Sequence, residues 1–97
     1  MVKVQNMRSS QGNDVPNQFI IENGKATYFQ SYQTVIAKRT PVTTVNNVNR
    51  GGIVLDKNAY DYSVTTMKYL NYFLGHNMKE TRERIASGEY KLRDLNK

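Results

Sequence analysis

The 97-residue sequence holds no cysteine and no tryptophan, a single histidine, and eight acidic residues against fourteen basic ones. Without cysteine there is no disulfide, no thiol nucleophile and no thiolate metal site. The same absence fits a reducing compartment. No run approaches the ~18 apolar residues of a membrane-spanning helix. The first residues, MVKVQNMRSS, lack the apolar stretch of a secretory signal.

One histidine leaves catalysis and metal binding little to work with. His76 follows Gly75 at the end of an expected helix, where its charge would complement the helix dipole. Asp56, Asp61 and His76 are the only set resembling a ligand cluster, and their spacing matches no common metal site. Asp56 and Asp61 are near in sequence, but Lys57 lies between them and Asp61 has a capping role open to it. Gly51-Gly52 lacks the Gly-Lys-Ser/Thr ending of a phosphate loop and runs into a strand. The residues therefore predict a non-enzymatic protein with no metal and no cofactor.

What is abundant is positive charge and tyrosine. The net charge of +6 favours a partner of negative potential, such as nucleic acid, an acidic protein face or an anionic membrane surface, with nucleic acid and an acidic protein weighed first and solubility as the plain alternative. Seven tyrosines against three phenylalanines suit half-exposed sheet faces and interfaces, because tyrosine buries apolar area while keeping a polar tip.

The best-bounded stretch is Asp61 to Gly75, which reads as an amphipathic helix. Asp61 or Ser63 can cap its start, Gly75 can close it in a left-handed conformation, and Val64, Met67, Leu70, Phe73 and Leu74 make its apolar stripe. A second, mostly solvated helix is expected over 78–87. Asn77 and Glu80 form a capping box, Gly88 follows the end, and Glu80–Arg84 and Lys79–Glu83 stand at i,i+4 spacing. Upstream, residues 1–7 alternate as a short strand would, and 9–16 read as a loop. Residues 18–22 and 25–31 form a hairpin about Asn23-Gly24, which suits a type I′ turn, and 34–39 and 53–56 are further strands. Pro41 is expected to end or interrupt the strand before it. Tyr90, Leu92 and Leu95 should pack the tail on the body. The whole of 1–97 reads as one α+β domain. It would be a small antiparallel sheet of three to four strands followed by two helices, the main helix lying on one sheet face.

Two features compete for function. Lys38, Arg39, Arg50 and Lys57 bracket the polar segment 40–52, whose Asn46, Asn47 and Asn49 can hydrogen-bond to base edges or phosphates if it protrudes as a hairpin. Against this stands a solvated hairpin whose charges protect an edge. Lys68 on the main helix would extend the basic surface if it were continuous with Lys38, Arg39 and Arg50. The cations of the second helix are largely neutralised by their acidic neighbours, and the scattered tyrosines read as packing residues.

The strings Tyr28-Phe29-Gln30-Ser31-Tyr32, Val35-Ile36-Ala37-Lys38, Leu55-Asp56, Asp61-Tyr62-Ser63, Phe73-Leu74-Gly75 and Ser87-Gly88-Glu89-Tyr90 resemble a small uncharacterised domain that recurs in bacteriophages and mobile elements of Gram-positive bacteria. The resemblance spans roughly residues 8 to 96. In that domain a much shorter turn joins the Val-Ile-Ala-Lys strand to the Leu-Asp strand, so Thr40–Gly52 is an elaboration here. The resemblance implies an accessory protein of the bacterial cytoplasm. It leaves open whether it binds nucleic acid or acts as an inhibitor or modulator of a host protein, such as one of a defence system.

Overall fold

The computed structural model describes residues 2–96, with the backbone alone described at 45 and 48–50. Its elements are β1 (Val2–Arg8), β2 (Asp14–Asn23), β3 (Ala26–Ser31), β4 (Thr34–Val45), β5 (Val48–Asp56), α1 (Val64–Leu74), α2 (Met78–Ala86) and β6 (Lys91–Arg93). Three two-residue turns fold β2 to β5 into a meander. The β2–β3 turn is Gly24-Lys25, with Asn23 paired to Ala26 and Gly24 at φ 64°. This places glycine at the first central position of the turn, one residue later than the expected Asn23-Gly24 turn, and removes the demand for positive φ at asparagine. Asn46 and Asn47, both at positive φ, close the β4–β5 turn as a type I′ pair. The β1–β2 turn is shorter than the expected loop: Ser9 donates to Asn13 O, and β2 already begins at Asp14.

The sheet has six strands in the order β1-β2-β3-β4-β5-β6, antiparallel except for the last pair, where β6 lies parallel to β5. That exceeds the three to four strands expected. The tail does more than pack on the body, because Lys91–Arg93 joins the sheet at its edge.

Two bulges decide which way the side chains point. Phe29 faces Ala37 and Gln30 faces Val35, so Ile36 is an extra residue on β4. Ile36 and Ala37 are consequently both buried although adjacent. Farther along, Thr40 faces Gly52 and Thr43 faces Arg50, which leaves Pro41 and Val42 opposite Gly51 alone. Pro41 thus does not end its strand; it sits in a bulge, where its missing N–H leaves no ladder position empty. Gly51 is at φ 89°, and a Cβ there would run into the Pro41 carbonyl oxygen.

The helices cover one face of the sheet. Ser63, not Asp61, caps α1, its Oγ accepting from Thr66 N at 3.0 Å, and Gly75 at φ 82° closes the other end. Phe73 stacks on Phe29 with ring centroids 5.9 Å apart, and Leu55, Leu70, Ile36 and Ala37 fill the core beside them. Val64 is a correction to the expected stripe: it is 80% exposed. The buried positions are Thr66, Leu70 and Phe73, at i, i+4 and i+7, which turns the stripe away from Val64. On α2, Asn77 Oδ1 accepts from Glu80 N, while the Glu80 carboxylate turns to Arg84 at 3.7 Å, and the helix ends at Ala86. No Lys79–Glu83 ion pair forms among the described residues.

Two polar clusters bind the layers. His76, between the helices, has Nε2 2.7 Å from the Tyr90 hydroxyl and Nδ1 3.2 Å from Thr81 Oγ1. Asp56, 2% exposed, accepts hydrogen bonds from Asn58 N, Leu95 N and Asn96 Nδ2. Asn96 also accepts from Val35 N at 2.7 Å and donates to Val35 O at 2.9 Å, so its carboxamide acts as one more peptide group beside β4 beyond the end of β5.

Asp56→Ala strands these N–H groups and is expected to lower stability by roughly 2–4 kcal/mol in urea unfolding. Burial pushes the Tyr90 phenol above its ordinary value of 10, with the Arg84 guanidinium acting in the opposite sense. The folded state therefore holds that proton more tightly. Stability is retained below pH 10 and falls above it as the unfolded chain ionises first. The decline in urea midpoint above pH 10 should be shallower in Tyr90→Phe.

Candidate functional site

Strand alternation leaves the second face of the sheet without a helix. The register carries one row straight across all six strands: Val4, Ile21, Tyr28, Lys38, Val54 and Lys91. Residues two positions away on each strand share that face, which adds Val2, Phe19 and Arg93. Phe19, Ile21, Tyr28 and Val54 are partly exposed, and Val2 and Val4 are fully so. The Lys38 ammonium lies 5.8 Å from the centre of the Tyr28 ring. Lys91 is two strands from Lys38, about 10 Å at ordinary strand spacing. The only carboxylate at these positions is Asp56, which the tail has buried. The face is thus apolar and aromatic toward β1–β3 and cationic toward β4–β6.

Beyond Thr40 and Gly52 the β4–β5 ribbon outruns β3, which ends opposite at Ala26, and continues as an arm to Asn46-Asn47. The sequence from Asn23 to Leu55 contains four cations and no acid, so the arm and the central strands carry positive charge alone.

The candidate residues are distributed as follows. Lys38 lies on the helix-free face. Arg39, its neighbour, points to the opposite face, where its guanidinium stands 4.5 Å from the centre of the Phe73 ring and donates to Phe73 O at 3.1 Å. It caps the end of α1. Asn46 and Asn47 are exposed at the arm tip. The side chains of Asn49 and Arg50 lie outside the described ones. Lys57 follows β5 at the end remote from the arm, roughly 16 Å along the strand from Gly52, so it is not at the arm's base. Lys68 lies on α1, 5.3 Å from the Tyr69 ring, beside a groove lined by Met67, Tyr72 and Arg82. Lys38 and Lys68 thus sit on opposite layers and do not form one basic stripe. Sequence reasoning missed Lys91, Arg93, Phe19 and Ile21 as parts of a surface. The alternation within each strand was visible, but the β5–β6 pairing that aligns Lys91 with Lys38 was not.

Asp56 and His76 belong to the two separate polar clusters described above, and among the described residues no group of three or more His, Asp or Glu side chains gathers as a metal site. No helix there is long and apolar enough to cross a membrane.

The chain belongs to a family of unknown function (DUF8033), whose model matches residues 2–89. No curated protein and no solved structure matches it.

The placements separate two adjacent cations. Arg39→Ala should cost about 1 kcal/mol in thermal unfolding, through loss of the ring contact and of the helix-end hydrogen bond. Lys38→Ala should leave the unfolding midpoint unchanged.

Proposed function

We propose that this member of the DUF8033 family binds nucleic acid, laying a single strand on the helix-free face of its sheet with the β4–β5 arm alongside. The observation that carries the reading is the row from Val4 to Lys91. Partly exposed aromatic and aliphatic side chains lie next to Lys38, Lys91 and Arg93, the row itself holds no carboxylate, and the exposed Asp14 near the far edge is paired with Arg8 at 3.4 Å. Aromatic rings stack on bases of any sequence, and cations beside them neutralise phosphates. An open sheet suits unpaired bases, because it offers a flat surface rather than a helix to fill a groove. The arm supplies asparagines at its tip that can reach a base edge or a phosphate oxygen. The resemblance to a domain of phages and mobile elements suggests an accessory role in the bacterial cytoplasm, where such strands arise during replication and transfer.

A second reading has an observation of its own. β1 is an edge strand whose Val2 and Val4 are both 58% exposed, and an edge of this kind accepts a partner's strand. A host protein inhibited or modulated through that edge would be its partner.

Fluorescence anisotropy with labelled single strands tests the first reading. Binding is expected to weaken as salt rises, because phosphate contacts release counterions. Lys38→Ala should reduce the slope of log affinity against log salt by about 0.7, the loss of one phosphate contact on a single strand. Tyr28→Ala should weaken binding about tenfold with the slope unchanged, since stacking releases no counterion. No binding at low salt would sink this reading. A stoichiometric protein recovered from nuclease-treated host lysate, and lost on Val4→Lys, would support the second.

A further inference from the structure

A cleft of about 400 Å³ lies at the end of the molecule opposite the arm, between the β3–β4 turn and the start of α1. That volume suits a small ligand. Ile36 and Ala59 line it, Ser31, Thr34, Ser63, Thr65 and Thr66 contribute hydroxyls, and Tyr32 and Tyr62 complete its rim. No charged side chain is among them.

The hydroxyls divide into two groups. Those of Ser63 and Thr66 are engaged with each other and with the cap of α1. Those of Ser31, Thr34 and Thr65 have no side-chain partner among the described residues, nor do the phenols of Tyr32 and Tyr62. Each can donate and accept, so the cleft presents both hydrogen-bond senses without a net charge.

Tyr32 is the anomaly. It occupies the first position of the two-residue β3–β4 turn at φ 56°, a conformation that glycine adopts freely and an aromatic residue rarely. Its backbone is held there by Tyr32 N donating to Asn17 O at 2.6 Å and by Gln30 Nε2 donating to Tyr32 O at 2.8 Å. On the Tyr32 side both bonds use main-chain atoms alone, so glycine would make them equally well and without strain. The residue is 60% exposed, and its ring makes no aromatic or cation contact among the described residues. Tyr62, also on the cleft, is 81% exposed. Strained residues of this kind concentrate where a ligand is met.

We propose that this cleft binds a nucleobase, stacked against Tyr32 and Tyr62 and held at its edge by the hydroxyls of Ser31, Thr34 and Thr65. A neutral lining fits a neutral ligand. A planar base offers each tyrosine a π-face, and its edge mixes donors with acceptors as the hydroxyls do. The cleft is distinct from the sheet face, and free nucleosides test it whether or not strands bind that face.

The experiment is an amide-NMR titration of the intact chain with adenosine, cytidine, guanosine and uridine, and with methyl glycosides as the sugar control. Nucleosides are expected to shift the amides of residues 31–34 and 62–66 with saturation in the millimolar range or tighter. Tyr32→Gly should keep or raise the thermal midpoint while weakening that binding about tenfold, the loss of one stacking contact. Tyr62→Ala should weaken it similarly with the midpoint unchanged. The proposal is overturned if nucleosides shift nothing, if methyl glycosides give the same shifts, or if both tyrosine variants bind as the native chain does. A lower midpoint for Tyr32→Gly would also overturn it, by showing that the ring serves the fold.

Discussion

The carboxylate of Asp56 stands where three parts of the chain meet: the end of β5, the connection that leads to α1, and the returning tail. A buried charge is stable only when its acceptor sites are filled, and here the donors come from Asn58, Leu95 and Asn96. The placement of β6 beside β5 and of Asn96 beside Val35 follows from the same contacts. With the tail fixed, Leu92 faces the core and Lys91 and Arg93 face the open side. The cationic half of the proposed binding face therefore depends on a carboxylate that is itself hidden from any ligand.

Much of the fold was legible in the residues. Ser63, Gly75 and Asn77 announce helix ends through local chemistry, and the structure uses all three in that way. The strand 18–22 declares itself by alternation and 34–39 by its β-branched residues Thr34, Val35 and Ile36, and the polar stretch 40–52 does form a protruding ribbon. What the sequence hid were events between strands. Pro41 breaks an isolated strand pattern, but opposite Gly51 it becomes one side of a bulge, and only the pairing shows this. The parallel pairing of Lys91–Arg93 has no local signal, because three residues are too few for a period. Val64 matched the helical repeat yet lies on the outside, since Thr66 takes the buried position that a hydrophobicity count assigns elsewhere.

The proposed sites show the same division. Lys38 and Arg39 are neighbours in sequence and looked like one basic patch. Strand alternation sends the first to the open face and the second to the end of α1, so one is available to a ligand and the other is a structural cap. The cleft beside Tyr32 was invisible for a different reason. A tyrosine in a turn reads as ordinary packing until its backbone angle is known.

The order in which contacts can close follows from where β6 lies. The four pairings among β1 to β5 join strands consecutive in the chain across connections of two to five residues, so the loop entropy of each is small. Val54 and Lys91, by contrast, are 37 positions apart, with both helices between them. No pairing within the meander involves the tail, whereas docking of the tail must close a loop that contains α1 and α2. The sequence separation of β5 and β6 thus leads us to expect that seam to close late, with slow hydrogen exchange concentrated in the central strands rather than at that edge.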